Sequence, residues 1–134
     1  MKLKHTYALV SIAILGMMSI ILPVFMNPDI KQYESPLFPL IRTGIEGISM
    51  YSFIFLFLSG AIVSYFSELS FWKIGLMSMA LFPIATFCEM IADPSSHNMF
   101  PFEFIFYGIY TIPAITGAFF SQKIKDLISK KVTQ

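Results

Sequence analysis

Charge is what this sequence has least of. Only 13% of its 134 residues are Asp, Glu, Lys or Arg, against 56% hydrophobic, and the mean hydropathy is +0.72. A soluble domain carries about a quarter charged residues, so this chain cannot clothe a water-facing surface. Cysteine is reduced to Cys88, which excludes an internal disulfide and any paired-cysteine metal site. Lying inside an apolar run, Cys88 reads as a small buried hydrophobe. A Gly-rich phosphate loop, a G-x-S-x-G turn and an H-E-x-x-H helix are also missing from the sequence. With a net charge of +1 there is no basic footprint for nucleic acid. No cofactor is implied.

What is present is apolar length. Thr6 to Met26 runs for 21 residues without a charge, and about 20 suffice to cross the hydrocarbon core as a helix. The basic flank "MKLKH" mimics the start of a signal peptide, but "LPVFMNP" offers no small-x-small cleavage site, so a retained anchor is expected. Further apolar runs follow from Ile48 to Phe66, between Lys73 and Glu89, and from Phe104 to Ser121. The expected fold is all-α: one domain over residues 1–134, an integral membrane bundle of four transmembrane helices at about 6–26, 46–66, 72–91 and 103–122. Only "SELSF" separates spans two and three, which predicts antiparallel neighbours. Gly60/Ser64 and Ala114/Ala118 are small-xxx-small pairs able to seat close helix contacts.

Lysine and arginine set the direction. Lys2, Lys4, Lys73, Lys123, Lys125, Lys130 and Lys131 fall on one side of the four spans, and only Lys31 and Arg42 on the other. The positive-inside rule then places both termini in the cytoplasm. The acids split the opposite way, leaving the outer side at −4 (two bases, six acids) and the inner side at +5 (seven bases, two acids). In the long outer loop, "NPD" predicts a helix start with Asn27 as cap and Pro28 at the first helical position. The apolar, proline-containing "SPLFPLIR" suits a short interfacial segment held against the bundle. After span four, "QKIKDLISKKV" puts Ile124, Leu127, Ile128 and Val132 on one stripe among lysines, which predicts a basic amphipathic C-terminal tail on the anionic leaflet.

The chemistry-bearing side chains gather at the outer face. Glu89, Asp93 and His97 would form one stripe on an unbroken helix, but Pro94 disfavours helical geometry at Asp93, so span three should end near Ala92. Asp93 and its serines then cap a turn. Pro101 fits a first helical turn and puts Glu103 where the helix dipole favours an anion; Glu46 is expected in the equivalent place in span two. Glu89 has no such explanation. It stands at the carboxyl end of a helix, within the membrane, and should face the bundle interior with Arg42 as the most economical partner. Glu89, Arg42, Glu46, Asp93, His97 and Glu103 are the candidate ligand or proton site. Glu46, Glu89, His97 and Glu103 could together hold Mn, Fe or Zn, although no recognised ligand spacing connects them. Pro83 and Pro113 could open a cavity between spans three and four, with Thr86, Tyr107, Tyr110 and Thr111 as polar lining.

Three function classes fit. An accessory or assembly subunit of a larger membrane complex comes first, since almost every residue is spent on crossing the bilayer. Its partners would be the lipid bilayer and another membrane protein or further copies of the chain. A small transporter or ligand-binding protein with a polar pocket around Glu89 is second. A membrane enzyme using the outer carboxylates and His97 is third. The charge pattern suits a bacterial inner membrane.

Overall fold

The computed structural model describes residues 4–27, 29–96 and 100–132. Their regular structure is all α-helix: α1 (His5–Met26), α2 (Pro39–Glu46), α3 (Met50–Phe66), α4 (Phe71–Ser78), α5 (Leu81–Ala92), α6 (Phe100–Tyr110) and α7 (Ile112–Val132). Three helical segments are long and apolar enough to cross a membrane: His5–Met26, Phe71–Ala92 and Phe100–Lys131. The pair α2 and α3, bent by 102° at its break, supplies a fourth if counted as one span. The chain is a small membrane-type helical bundle.

The interruptions follow from local chemistry. Pro83 lies in the first turn of α5, and its ring collides with a helical carbonyl four residues back, at Met79. The ladder between α4 and α5 therefore tightens to three-residue bonds, Ala80 N–H to Met77 O and Phe82 N–H to Met79 O, both 3.2 Å. Pro113 does the same to Ile109, and Thr111 N–H turns to Gly108 O at 3.2 Å. Asp93, extended ahead of Pro94, ends α5 at Ala92 as its sequence predicts.

The bend between α2 and α3 departs from the expected start of span two at residue 46. Ser49, extended, begins a separate helix, with its N–H donated to Ser52 Oγ at 3.3 Å. Glu46 is accordingly the last residue of α2, and its place in the first turn of span two is corrected. The expected helix start at Asn27 is also overturned. Asn27 closes α1, its N–H on Pro23 O at 3.1 Å, and its side chain accepts Asp29 N–H at 3.2 Å in a local turn that competes with helix. Pro28 lies outside the described residues. The helix begins instead at Pro39, again a proline in the first turn.

Around the bundle, α3 packs chiefly on α7 and then on α1, while α4 packs on α7 and α1. Spans two and three thus touch, but each has its larger faces against spans one and four. The α3–α7 seam is closed backbone to backbone. A Cβ on Gly60 would stand 2.2 Å from Ala114 O, and one on Gly117 would stand 2.0 Å from Phe57 O. Ser64 Oγ donates to Ala118 O at 3.1 Å along the same seam. On α1, Gly16 meets Ser78 O just as closely, and Ser19 Oγ meets Ser59 Oγ of α3 at 3.1 Å. Small residues that let backbones approach are how membrane helices gain contact without a hydrophobic driving force.

At the far end of α7 the helix runs on without a separate tail element. Ile124, Leu127 and Ile128 are all more than half exposed, and Lys125 Nζ donates to Tyr65 O at 3.2 Å. Cys88 is on an exposed face of α5, not in the core; an apolar run carries no information about which residues point inward.

Candidate functional site

The acidic end of the bundle is built around α2, which lies across it. Its seat is polar as well as apolar. Thr43 is fully buried and accepts Tyr33 N–H on its hydroxyl at 2.9 Å, which ties the preceding loop to the helix. Gly44 faces Ile20 of α1, where an added Cβ would meet Ile20 O at 3.0 Å.

The amino end of α2 is fastened by Glu89. Ser35 Oγ and the backbone N–H of Phe38, the residue capping α2, both donate to Glu89 Oε1, the latter at 2.9 Å. The side chain is 4% exposed. Its own helix disfavours an anion at this end, but the first N–H groups of α2 favour one. A carboxylate at the wrong end of α5 is thereby at the right end of α2. This corrects the expected pairing with Arg42.

Arg42 joins two other carboxylates instead. Its guanidinium forms an ion pair with Glu46 at 2.8 Å, one turn along α2, and donates to Glu103 at 3.1 Å, across on α6. The first contact compensates an acid at the carboxyl end of α2. The second bridges α2 to the first turn of α6, so Glu103 has a partner across the bundle besides its favourable place on its own helix.

Between these contacts lies a cavity of about 500 Å³. Arg42, Glu46, Glu89 and Glu103 all contribute to its wall, with Thr86, Ser96, Tyr107 and Tyr110 as further polar lining. Phe38, Ile41, Ile45, Ile48, Phe102 and Phe106 supply apolar walls. Thr86 Oγ1 and Tyr107 Oη hydrogen-bond at 2.9 Å across the α5–α6 wall. Rings of Phe87, Phe100 and Phe104, with centroids 5.0–5.7 Å apart, pin the start of α6 to α5. Phe102 and Phe106 are exposed, so the cavity reaches the lateral face of the bundle beside α6.

Of the six candidate residues, the structure gathers Arg42, Glu46 and Glu103 into one ion-paired group and places Glu89 on the same cavity wall. Asp93 is apart. Its Oδ1 accepts Ser95 N–H at 2.9 Å and Ser95 Oγ–H at 2.7 Å, and these bonds hold its carboxyl below the usual carboxylate range. His97 lies outside the described residues. Among the described residues no three His, Cys, Asp or Glu side chains converge as a metal site would require. Thr111, expected in the polar lining, turns its hydroxyl back to Gly108 O at 2.6 Å. Sequence reading missed Ser35 and Phe38. A serine three residues ahead of a capping position was the available signal, but nothing in it pointed to a glutamate 54 residues away. No family model, curated protein or solved structure matches the chain, so what it does is read from this geometry alone.

Proposed function

We propose that the chain is a small ligand-binding membrane protein, a transporter or carrier of a small molecule that occupies the cavity at the acidic end. The carrying observation is the cavity itself. Its volume is within the roughly 300–1,000 Å³ typical of ligand sites, and its apolar walls hold a few convergent polar groups. Composition alone favours an accessory subunit, and that reading has no comparable geometric support. In the proposed arrangement the acidic end faces outward and both termini face the cytoplasm of a bacterial cell, in keeping with the seven-to-two split of lysine and arginine.

The test is purification of the full chain from its native membrane into nanodiscs, with mass spectrometry of the small molecules that accompany it. Ala85→Phe serves as the comparison, because Ala85 lines the cavity and a ring there would take up part of its space. A small molecule held by the wild type and lost from Ala85→Phe is the expected outcome. A stoichiometric second protein, with no small molecule lost from the variant, would return the accessory-subunit reading to first place.

A further inference from the structure

The seam of α3 and α7 is flanked by an apolar groove of about 370 Å³ that runs toward the basic end of the bundle. Ala61, Ile62 and Phe66 line it from α3, and Gly117, Phe120 and Ile124 from α7. Phe57 is the α3 wall residue farthest from the basic end, its ring 6.4 Å from that of Phe120 between centroids. No lining residue is shared with the acidic-end cavity. We propose that this groove is the binding site of one anionic phospholipid, with an acyl chain along the groove and the phosphate at Lys125.

The length of the groove fits a lipid chain. From Phe57 to Phe66 the α3 wall runs about 14 Å at 1.5 Å per residue, close to the roughly 15 Å that one leaflet gives the hydrocarbon core. The groove ends where α3 ends, beside the exposed rings of Tyr65 and Trp72, residue types that favour the headgroup level. Lys125 stands at this mouth. Its Nζ donates to Tyr65 O at 3.2 Å, and Tyr65 is itself a wall residue. That carbonyl is neutral and takes one of the ammonium's three donors, which leaves the charge and two donors for a phosphate. Among the described residues no carboxylate lies within ion-pair distance of Lys125. Lys131, seven residues beyond Ile124, continues the same face of α7. A zwitterionic lipid would bring its own cation to this lysine mouth, and an uncharged hydrophobe would bring no counter-charge. A second copy docked here about a twofold axis would set Lys125 and Lys131 against their equivalents.

The test titrates the full chain, stripped of lipid in detergent, with phosphatidylglycerol or phosphatidylcholine of identical acyl chains, and counts bound lipid by native mass spectrometry. Saturable binding of one phosphatidylglycerol is expected, about fivefold tighter than phosphatidylcholine, the worth of one lysine near an anionic headgroup. Lys125→Gln should remove the preference and Lys125→Arg should keep it. Ala61→Phe, which puts a ring into the groove and leaves every charge in place, should weaken both lipids alike. A phosphatidylglycerol carrying a photoreactive diazirine on its chain gives a reading on the wild type alone, whether or not that variant folds. It should label residues 57–66 and 117–124, and unlabelled phosphatidylglycerol should compete the label away. Equal affinity for the two lipids overturns the proposal, as does unchanged binding by a folded Ala61→Phe or label spread evenly over the exposed faces of α1 and α5. Competition by glycerol phosphate as strong as by the intact lipid would reduce the site to a phosphate at Lys125 and overturn the groove's part in it. Dimer masses that persist in excess phosphatidylglycerol and are lost from Ala61→Phe would give the groove to a second copy.

Discussion

The seam between α3 and α7 and the wall between α5 and α6 are built by opposite means. Along the seam, Gly60, Ser64, Gly117 and Ala118 are so small that backbone meets backbone, and an apolar groove of about 370 Å³ runs beside the contact between Phe57, Tyr65, Phe120 and Ile124. At the wall, α6 buries only Tyr107 of its eleven residues, and the contact with α5 is made by long side chains, a tyrosine hydroxyl and a phenylalanine cluster, while an ion pair ties α6 to α2. Short residues close a membrane bundle; long ones hold it apart around a space. The same chain, in the same solvent, uses the first device to bring α3 and α7 together and the second beside the polar cavity at the acidic end.

Substitutions that exchange the two devices give the largest expected effects. Gly117→Val should do most damage, because its first added carbon would already overlap Phe57 O. Overpacking of this kind costs about 3 kcal/mol, and with backbone on the other side nothing flexible can give way. Loss of a monodisperse folded species in detergent is the readout. A folded Gly117→Val protein of wild-type melting temperature would show that the seam is looser than described.

Next is Glu89. Replacement by Ala removes the acceptor shared by Ser35 and Phe38, and α2 should lose its anchor. Faster hydrogen exchange over residues 35–46 is expected, with α3 and α7 unchanged. Glu89→Gln retains an acceptor oxygen, so it should keep that protection while impairing ligand uptake. If Ala and Gln behave alike in exchange, the carboxylate is not what fastens α2.

Thr86→Val cuts the hydrogen bond to Tyr107 and nothing else of size. Such bonds between membrane helices are worth about 0.6 kcal/mol, so a small drop in thermal stability is expected, with weaker ligand binding as the α5–α6 wall loosens. Gly108→Ala is the counterpart to Gly117→Val. An added carbon there meets nothing within 4 Å, so the helix preference for Ala should act alone and stabilise by about 0.5–1 kcal/mol. The contrast of the two glycines, one intolerant and one improved by substitution, is the sharpest form of the comparison.

The smallest effect concerns Asp93. Its folded-state carboxyl titrates below its unfolded value, so the turn's contribution is present above about pH 4 and is lost as pH falls through the folded value. Carboxyl chemical shifts tracked from about pH 5 downward should show Asp93 titrating below the ordinary aspartate range. Ser95→Ala should return it to the ordinary range.

How much of this was legible beforehand differs along the chain. Each apolar run gives its helix, and Pro94 gives the end of α5, because both are local properties. The Asp93 turn was readable for the same reason. The order of packing was not. In a membrane the residues that face lipid and those that face neighbours are equally apolar: exposed Ile62 and Phe66 alternate with buried Leu56 and Val63 on one helix. Periodicity is silent there, which also explains the misplacement of Cys88. Glu89 drew attention as an acid at an unfavourable helix end, and that was correct chemistry. Its partner could not be read, because α2 turns through 102° at Gly47–Ser49 and only that turn brings Phe38 to it.

The two proline-associated interruptions have a mechanical consequence. A helix resists bending because its hydrogen-bond ladder is continuous, and sharp bends fall where that ladder fails. On the third and fourth crossings it fails at Met79–Ala80 and again at Thr111. Below these points α4 is packed firmly on α7; beyond them α5 and α6 touch sparsely. The two failures thus draw a crease across one side of the bundle, and the panel beyond it is one wall of the cavity. Compliance is thereby concentrated at this wall, where the hydrogen-bond ladder is interrupted.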